Sequence, residues 1–97
     1  MGKTEKRQSI IVQDMSRCII CGKPHPHKHH VFGASNRKWS EKYGLTVPLC
    51  YEHHNGSDAG VHFDKQLDLA LKKMAQAKFE ETYPDKDFRS IFGRNYL

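Results

Sequence analysis

The sequence predicts a small α+β domain braced by a structural metal ion, and three observations lead to this prediction. The chain has 97 residues, 37% of them hydrophobic, which is enough for one domain with a modest core. All three cysteines and all seven histidines lie between residues 18 and 62. Three strand-like segments precede residue 51, and a long helical pattern follows residue 64. We therefore expect a single domain over residues 1–97, with a metal-binding core at 18–63 and C-terminal helices at 64–97.

Charge and hydropathy narrow the class of protein further. The formal net charge of +5 favours a polyanionic partner such as nucleic acid, although many basic domains bind none. No apolar run is long enough for a signal peptide or a membrane span, which predicts a cytoplasmic protein with no membrane partner and with reduced thiols. Three cysteines cannot all pair with one another, so metal binding is the better use for them.

The N-terminal part divides into an arm and a metal-binding knuckle. Residues 1–9 are polar and basic, and they predict a flexible arm. The β-branched run Ile10–Val12 predicts a short strand. Cys18 and Cys21 form a Cys-x-x-Cys pair, and Gly22 allows the backbone to turn so that its N–H groups face the thiolates.

A strand is predicted after a proline-rich stretch. Lys23–His27 contains two prolines and cannot be helical, whereas Lys28–Phe32 is predicted to be a β-strand. Alternation along this strand places His27 and His29 on one face and His30 on the other. Twist or a bulge could still bring His29 and His30 to one site.

The partner strand is predicted after a connection that carries a short helix. That helix covers Arg37–Tyr43, and Gly44 is its C-terminal stop. Leu45–Cys50 is the returning strand of the hairpin, and Pro48 marks an edge or an end of it.

Helices follow the hairpin. His53 and His54 lie in a helical turn after residue 50, and neighbours on a helix point about 100° apart, so one can bind a metal ion while the other faces a second site. Asp64 is the predicted N-cap of a long helix that ends near Thr82, and a last short helix ends at Gly93. The apolar stripe predicted for the long helix is Leu67, Ala70, Leu71, Met74 and Ala75.

Four residues have the types and the spacing of a closed tetrahedral zinc site: Cys18, Cys21, Cys50 and His53. Two residues separate the members of each pair, and the gap between the pairs is long enough for a hairpin. The alternative is free buried thiols with a surface histidine. The spacing indicates only that zinc is held, because a zinc-stabilised binding module would carry the same four residues.

Four further histidines are left over: His29, His30, His54 and His62. Phosphodiester cleavage needs a divalent cation, a base for the attacking water and stabilisation of the leaving oxygen. Histidines supply cation ligands and a base that works near neutral pH. The order of these motifs resembles the HNH endonuclease family, most of all its small phage and prophage members. The motifs are His29-His30-Val31, Leu49-Cys50-x-x-His53-His54 and His62. Three further segments also resemble the phage members of the family: Gly44–Cys50, Gly60–Phe63 and Ile91–Leu97.

The resemblance implies a ββα-metal, treble-clef-like core, in which a hairpin and a helix hold a catalytic cation and the structural Zn²⁺ braces the hairpin. It implies that His29, His54 and His62 bind a catalytic divalent cation (Mg²⁺, Mn²⁺ or Ni²⁺) and that His30 is the general base in DNA hydrolysis. It also implies a phage- or prophage-encoded protein in a bacterial host, where phage or recombination proteins are compatible partners. Many family members have an acidic residue in place of His29, and His62 lies further from His54 than one helical turn.

Other residues carry weaker signals, and one alternative function stays open. Arg37 and Lys38 would grip DNA phosphates or form a solvated face. His25 and His27 are more simply bystanders than ligands. The candidates for the asparagine of the family name are Asn36 and Asn55. The alternative is a non-catalytic, zinc-stabilised nucleic-acid-binding or adaptor module, against which the four surplus histidines argue. The oligomeric state is not predicted.

Overall fold

The computed structural model describes residues 9–56, 60–61 and 64–97. These residues form a two-stranded antiparallel sheet and helices, which confirms the predicted α+β class. Nearly all of the predicted flexible arm lies outside the described residues. The elements in chain order are β1 (His27–His30), a 3-10 turn (Ala34–Asn36), α1 (Arg37–Tyr43), β2 (Thr46–Leu49), α2 (Tyr51–Asn55), α3 (Lys65–Thr82) and α4 (Phe88–Phe92).

The sheet pairs β1 with β2 in a register that places His27 opposite Leu49 and His30 opposite Thr46. β1 is shifted towards the N-terminus relative to the predicted strand Lys28–Phe32. The reason lies at Phe32, whose backbone N–H and C=O both bond the hydroxyl of Ser40, at 3.0 and 2.8 Å. Because this side chain satisfies the backbone of Phe32, the chain leaves the sheet before that residue.

The predicted strand at Ile10–Val12 is wrong, since the backbone there bends instead of pairing. Two of its N–H groups are bonded locally, because the hydroxyl of Ser9 accepts from Ile11 at 2.9 Å and from Val12 at 3.2 Å, whereas the N–H of Ile10 donates to the carbonyl of Gly44 at 2.9 Å. The same hydroxyl donates to the carbonyl of Thr46 at 2.6 Å. A side chain that bonds the nearby backbone competes with strand pairing, and no strand forms here.

Helix ends follow the local signals in the sequence. The carboxylate of Asp64 accepts from the N–H groups of Gln66 and Leu67, both at 3.1 Å, so α3 begins at an N-cap as predicted. Gly44 and Gly93 adopt left-handed backbone angles, with φ of 72° and 83°, and they end α1 and α4 as predicted.

The core joins the end of β1 to the C-terminal helices through aromatic rings. The ring of Phe32 lies 5.3 Å from that of Phe88 and 4.8 Å from that of Phe92, measured between centroids. Phe79 of α3 closes the cluster at 5.5 Å from Phe88. Aromatic packing therefore anchors the chain just after β1 to α3 and α4.

The buried face of α3 is rotated from the predicted stripe. Leu71 and Ala75 are buried, but Ala70 and Met74 are exposed. Gln76 is buried in their place, and its side chain accepts from the backbone N–H of Tyr96 at 2.7 Å. The C-terminal tail therefore covers a polar position that hydrophobic periodicity does not count as core. Among the described helices, none combines the length and the apolar character needed to cross a membrane.

Candidate functional site

Four side chains form a compact cluster beside the sheet: Cys18, Cys21, Cys50 and His53. Their ligand atoms all lie within 4.8 Å of one another, which confirms that the residues predicted to bind zinc come together. One pair precedes the hairpin in the chain and the other follows it, and both lie at its open end, where the start of β1 pairs with the end of β2. Cys18 and Cys21 lie on the turn before β1, whereas Cys50 precedes α2 and His53 lies within it.

Three of the distances within this Cys3His cluster are close to the edges of a zinc tetrahedron. The sulfur atoms of Cys21 and Cys50 are 3.6 Å apart, and the Nδ1 atom of His53 lies 3.7 Å from the sulfur of Cys18 and 3.3 Å from that of Cys50. Zinc bonds of about 2.3 Å to sulfur and about 2.0–2.1 Å to nitrogen give edges of about 3.6–3.8 Å. The cluster therefore has the donor types and the size for Zn²⁺.

The backbone of the first pair favours a thiolate at Cys18. Gly22 has a φ of 79°, which lets the turn fold back until the N–H of Ile20 lies 3.4 Å from the sulfur of Cys18. Burial raises the pKa of the Cys18 thiol, but hydrogen bonds from the backbone of Cys50, Cys21 and Ile20 outweigh it and lower that pKa to about 6. Because the thiolate is the form that binds metal, this turn prepares Cys18 as a ligand.

A second group of ligand side chains lies where β1 meets α2. The ring of His54 is between two histidine rings of β1, with centroid distances of 5.1 Å to His29 and 5.2 Å to His27. The register explains this arrangement, because the end of β2 that leads into α2 pairs with the start of β1. His29 is buried, whereas His27 is exposed. We call these three residues the histidine group.

The prediction that neighbouring histidines serve different sites agrees with this geometry. His53 contributes Nδ1 to the Cys3His cluster, and His54 lies in the histidine group. The backbone N–H of His54 bonds the carbonyl of Cys50 at 2.8 Å, so a helical turn anchored at a cluster residue positions it.

His30 is held by a carboxylate that the sequence did not single out. Its Nε2 atom lies 2.8 Å from an oxygen of Glu41 on α1, and Lys28 binds the same carboxylate at 2.9 Å. The hydrogen bond from Lys28, and after it the one from His30, lowers the pKa of Glu41, so this group is charged at neutral pH. Because a carboxylate only accepts, the contact places a proton on Nε2 and makes Nδ1 the acceptor of the neutral ring.

Two clefts open beside His29 and His30, which line both. The larger has a volume of about 540 Å³, and the smaller has about 320 Å³. The charged residues that line the larger cleft with them are Lys65, Asp68 and Lys72 of α3. The charged or histidine residues that line the smaller cleft with them are Lys28, Arg37 and His54. The two adjacent histidines of β1 therefore border common solvent-filled space although their side chains alternate.

The remaining predicted site residues differ in where they lie. Arg37 lines the smaller cleft, whereas the amino group of Lys38 lies 5.1 Å from the ring centre of Trp39. Of the two candidate asparagines, Asn36 donates to the carbonyl of Phe92 at 3.0 Å and braces the chain. Asn55 lies with its Nδ2 atom 3.4 Å from the Nδ1 atom of His54. His62, the third predicted cation ligand, lies outside the described residues.

Comparison of the chain with protein-family models, with curated proteins and with solved structures finds no match. Membership of a family therefore stays a prediction from the motifs.

Two residues of the site were missed by sequence reasoning. For His27, the available signal was its strand alternation with His29, which correctly indicates a shared face. For Glu41, no signal in the sequence was available, because its contact with His30 depends on how α1 packs against β1.

Proposed function

We propose that the protein is a metal-dependent endonuclease or nickase of the HNH type, which hydrolyses phosphodiester bonds of DNA. The observation that carries this proposal is the position of His30, oriented by Glu41 at 2.8 Å, next to the histidine group and at the edge of two clefts lined by basic side chains. In this proposal β1, β2 and α2 are the ββα-metal unit, and Zn²⁺ in the Cys3His cluster braces it.

His29 and His54 are the residues that would hold the catalytic cation. Their rings lie 5.1 Å apart between centroids, and imidazole nitrogen is a donor that suits Mn²⁺ and Ni²⁺ better than Mg²⁺. When bound, such a cation supplies positive charge that stabilises the scissile phosphate and the leaving oxygen. In this assignment His62 is a further ligand, as its place in the motif suggests.

His30 is the general base in this proposal. The hydrogen bond to Glu41 keeps a proton on Nε2, so Nδ1 is the atom that takes the proton from the attacking water. Glu41 also prevents the ring from rotating away, and Lys28 holds the carboxylate in turn at 2.9 Å. The base is therefore oriented before substrate binds, which is the condition for efficient proton transfer.

DNA is the substrate that the charge distribution favours. The net charge is +5, and Arg37, Lys28, Lys65 and Lys72 line the clefts that contain His29 and His30. Such side chains contact phosphates and carry no sequence information by themselves. We infer low intrinsic sequence preference, with any target choice supplied by partners such as phage or recombination proteins of the bacterial host cytoplasm.

The test is plasmid cleavage by zinc-loaded wild-type protein and His30→Ala, in Mn²⁺, Ni²⁺ or Mg²⁺ and without any of these cations. We expect cleavage with Mn²⁺ or Ni²⁺ at least as fast as with Mg²⁺, and none when no cation is added. His30→Ala should slow single-turnover cleavage by about 10²–10⁴-fold, the usual contribution of general-base catalysis. Its zinc content should stay unchanged, because His30 lies outside the Cys3His cluster.

Glu81→Gln is the matched control, since Glu81 is exposed and pairs with Lys78 on α3. It should cleave at the wild-type rate. If the protein binds DNA but does not cleave it with Mn²⁺, Ni²⁺ or Mg²⁺, the alternative is favoured, a non-catalytic nucleic-acid-binding or adaptor module. The Cys3His cluster would stabilise such a module equally.

A further inference from the structure

We propose that His27 and His54 form a two-nitrogen clamp for a divalent transition-metal ion. Their Nδ1 atoms lie 3.0 Å apart. Metal–nitrogen bonds of about 2.0–2.1 Å place two ligating nitrogens about 2.9 Å apart at a right angle and about 3.4 Å apart at the tetrahedral angle. The observed separation falls within this range, so the spacing of the two nitrogens suits adjacent positions around one ion.

The fold gives the clamp a defined position. His27 is the first residue of β1 and pairs with Leu49, the last residue of β2. His54 lies one helical turn beyond Cys50 and donates its backbone N–H to the carbonyl of that cysteine at 2.8 Å. The rings of Tyr51 and His27 are nearly perpendicular, with their centroids 6.3 Å apart. Sheet register fixes one nitrogen, and the turn beside the Cys3His cluster fixes the other.

A hydrogen bond between two imidazoles is the competing explanation for the 3.0 Å distance. Both side chains reach the surface, where water competes for such a bond and reduces its net contribution. A third imidazole, from His29, adjoins His54 at 5.1 Å between ring centroids. Three imidazoles at one place are a donor set for Ni²⁺, Co²⁺, Cu²⁺ or Zn²⁺, whereas a hydrogen bond would need only two.

The clamp deepens the proposed function, because the ion that it holds would be the cation of the nuclease reaction. Its catalytic meaning rests on that function, but the binding of the ion does not. His27 is then a ligand in addition to His29 and His54, and it makes the site selective for transition-metal ions over Mg²⁺.

Titration of the zinc-loaded full chain with Ni²⁺, followed by calorimetry in the absence of DNA, tests the clamp. The wild-type protein should bind Ni²⁺ at a site distinct from the structural zinc. His27→Ala should weaken this binding by at least 10–100-fold, about the loss seen when even an outer partner of a metal ligand is removed. His25→Ala is the matched control, because His25 is an exposed histidine two residues away, and it should bind Ni²⁺ like the wild type.

His27→Gln separates the clamp from the hydrogen bond. Glutamine can keep a hydrogen bond to His54 but is a poor ligand for Ni²⁺, so the clamp predicts the same loss as for alanine. Wild-type Ni²⁺ affinity in both His27 variants would overturn the proposal, whether or not the protein cleaves DNA. Conversely, Ni²⁺ binding that depends on His27 in a protein that cleaves no plasmid would leave the clamp standing and overturn the nuclease.

Discussion

The Cys3His cluster and the histidine group are adjacent, yet they differ in their donor atoms and in their access to solvent. The cluster has three sulfur donors and one nitrogen, all within 4.8 Å of one another, which is a complete tetrahedral set. The histidine group has nitrogen donors only, and two of its members, His29 and His54, line a cleft. Structural zinc sites are closed, and catalytic sites keep a position for water or substrate. If the histidine group binds a cation as proposed, one small hairpin and a five-residue helix build both kinds of site.

Two adjacent residues of α2 face the two different sites. His53 turns towards Cys18 and Cys50, and His54 turns towards β1. Helix α2 has only five residues, so packing along its length contributes little to holding it. We infer that metal in the Cys3His cluster holds the helix and thereby positions His54. The histidine group should then depend on the cluster, but the cluster should not depend on the histidine group.

The largest expected effect is loss of the fold on removal of the cluster. Cys50→Ser should give a chain without bound zinc and without a cooperative thermal transition by circular dichroism. The binding free energy of structural zinc is about 10–16 kcal/mol in zinc-finger peptides. This is as large as the whole free energy of unfolding of a small domain, about 5–15 kcal/mol. His54→Ala should melt like the wild type and retain zinc. A cooperative melt of Cys50→Ser at the wild-type temperature would contradict the structural role of the cluster.

The next effect is loss of activity on removal of a member of the histidine group. His54→Ala should lose more than about 100-fold in cleavage rate with Mn²⁺, because a direct ligand should matter more than outer-shell partners, which cost about 10–100-fold. Zinc content measured on the same sample should not change. Full cleavage by this variant would exclude His54 as a cation ligand and leave the asymmetry between the two sites unsupported.

A smaller effect is expected at the carboxylate that orients the base. Glu41→Gln keeps the size of the side chain but replaces a charged acceptor by an amide, and it should slow cleavage by about 10–100-fold. His30→Ala combined with Glu41→Gln should be no slower than His30→Ala alone, because Glu41 is proposed to act only through His30. Additive losses in the double variant would show that Glu41 acts in another way, for example on folding, which the melting temperature would reveal.

Glu41 also marks the limit of what the sequence could predict. The Cys-x-x-Cys pair, the boundaries of α1 and the N-cap of α3 follow from local patterns, and the structure agrees with each. Strand limits were less accurate, because Ser9 and Ser40 bond the backbone at Ile11 and Phe32 and so end or prevent pairing. The contact between Glu41 and His30 joins residues 11 apart on different elements, and no local pattern encodes it.

The smallest expected effect concerns two adjacent basic residues, Arg37 and Lys38. Only the first lines the cleft that contains His29, His30 and His54, whereas the amino group of Lys38 lies over the ring of Trp39 at 5.1 Å. Arg37→Ala should therefore weaken DNA binding and reduce the slope of log affinity against log salt by about 0.7–0.9, the value for one lost phosphate contact. Lys38→Ala should change the slope by less.

Comparison of Arg37→Ala with Lys38→Ala distinguishes a local phosphate contact from a general attraction of DNA by the net charge. Both substitutions lower the net charge by the same amount, so a general attraction to DNA predicts equal losses in the two variants. A phosphate bound beside the histidines predicts a larger loss in Arg37→Ala than in Lys38→Ala, measured on zinc-loaded protein by fluorescence anisotropy over a series of salt concentrations without added catalytic cation. Equal slopes for the two variants would mean that DNA does not approach through this cleft, and the histidine group would then have to be reached from the α3 side, where Lys65 and Lys72 lie.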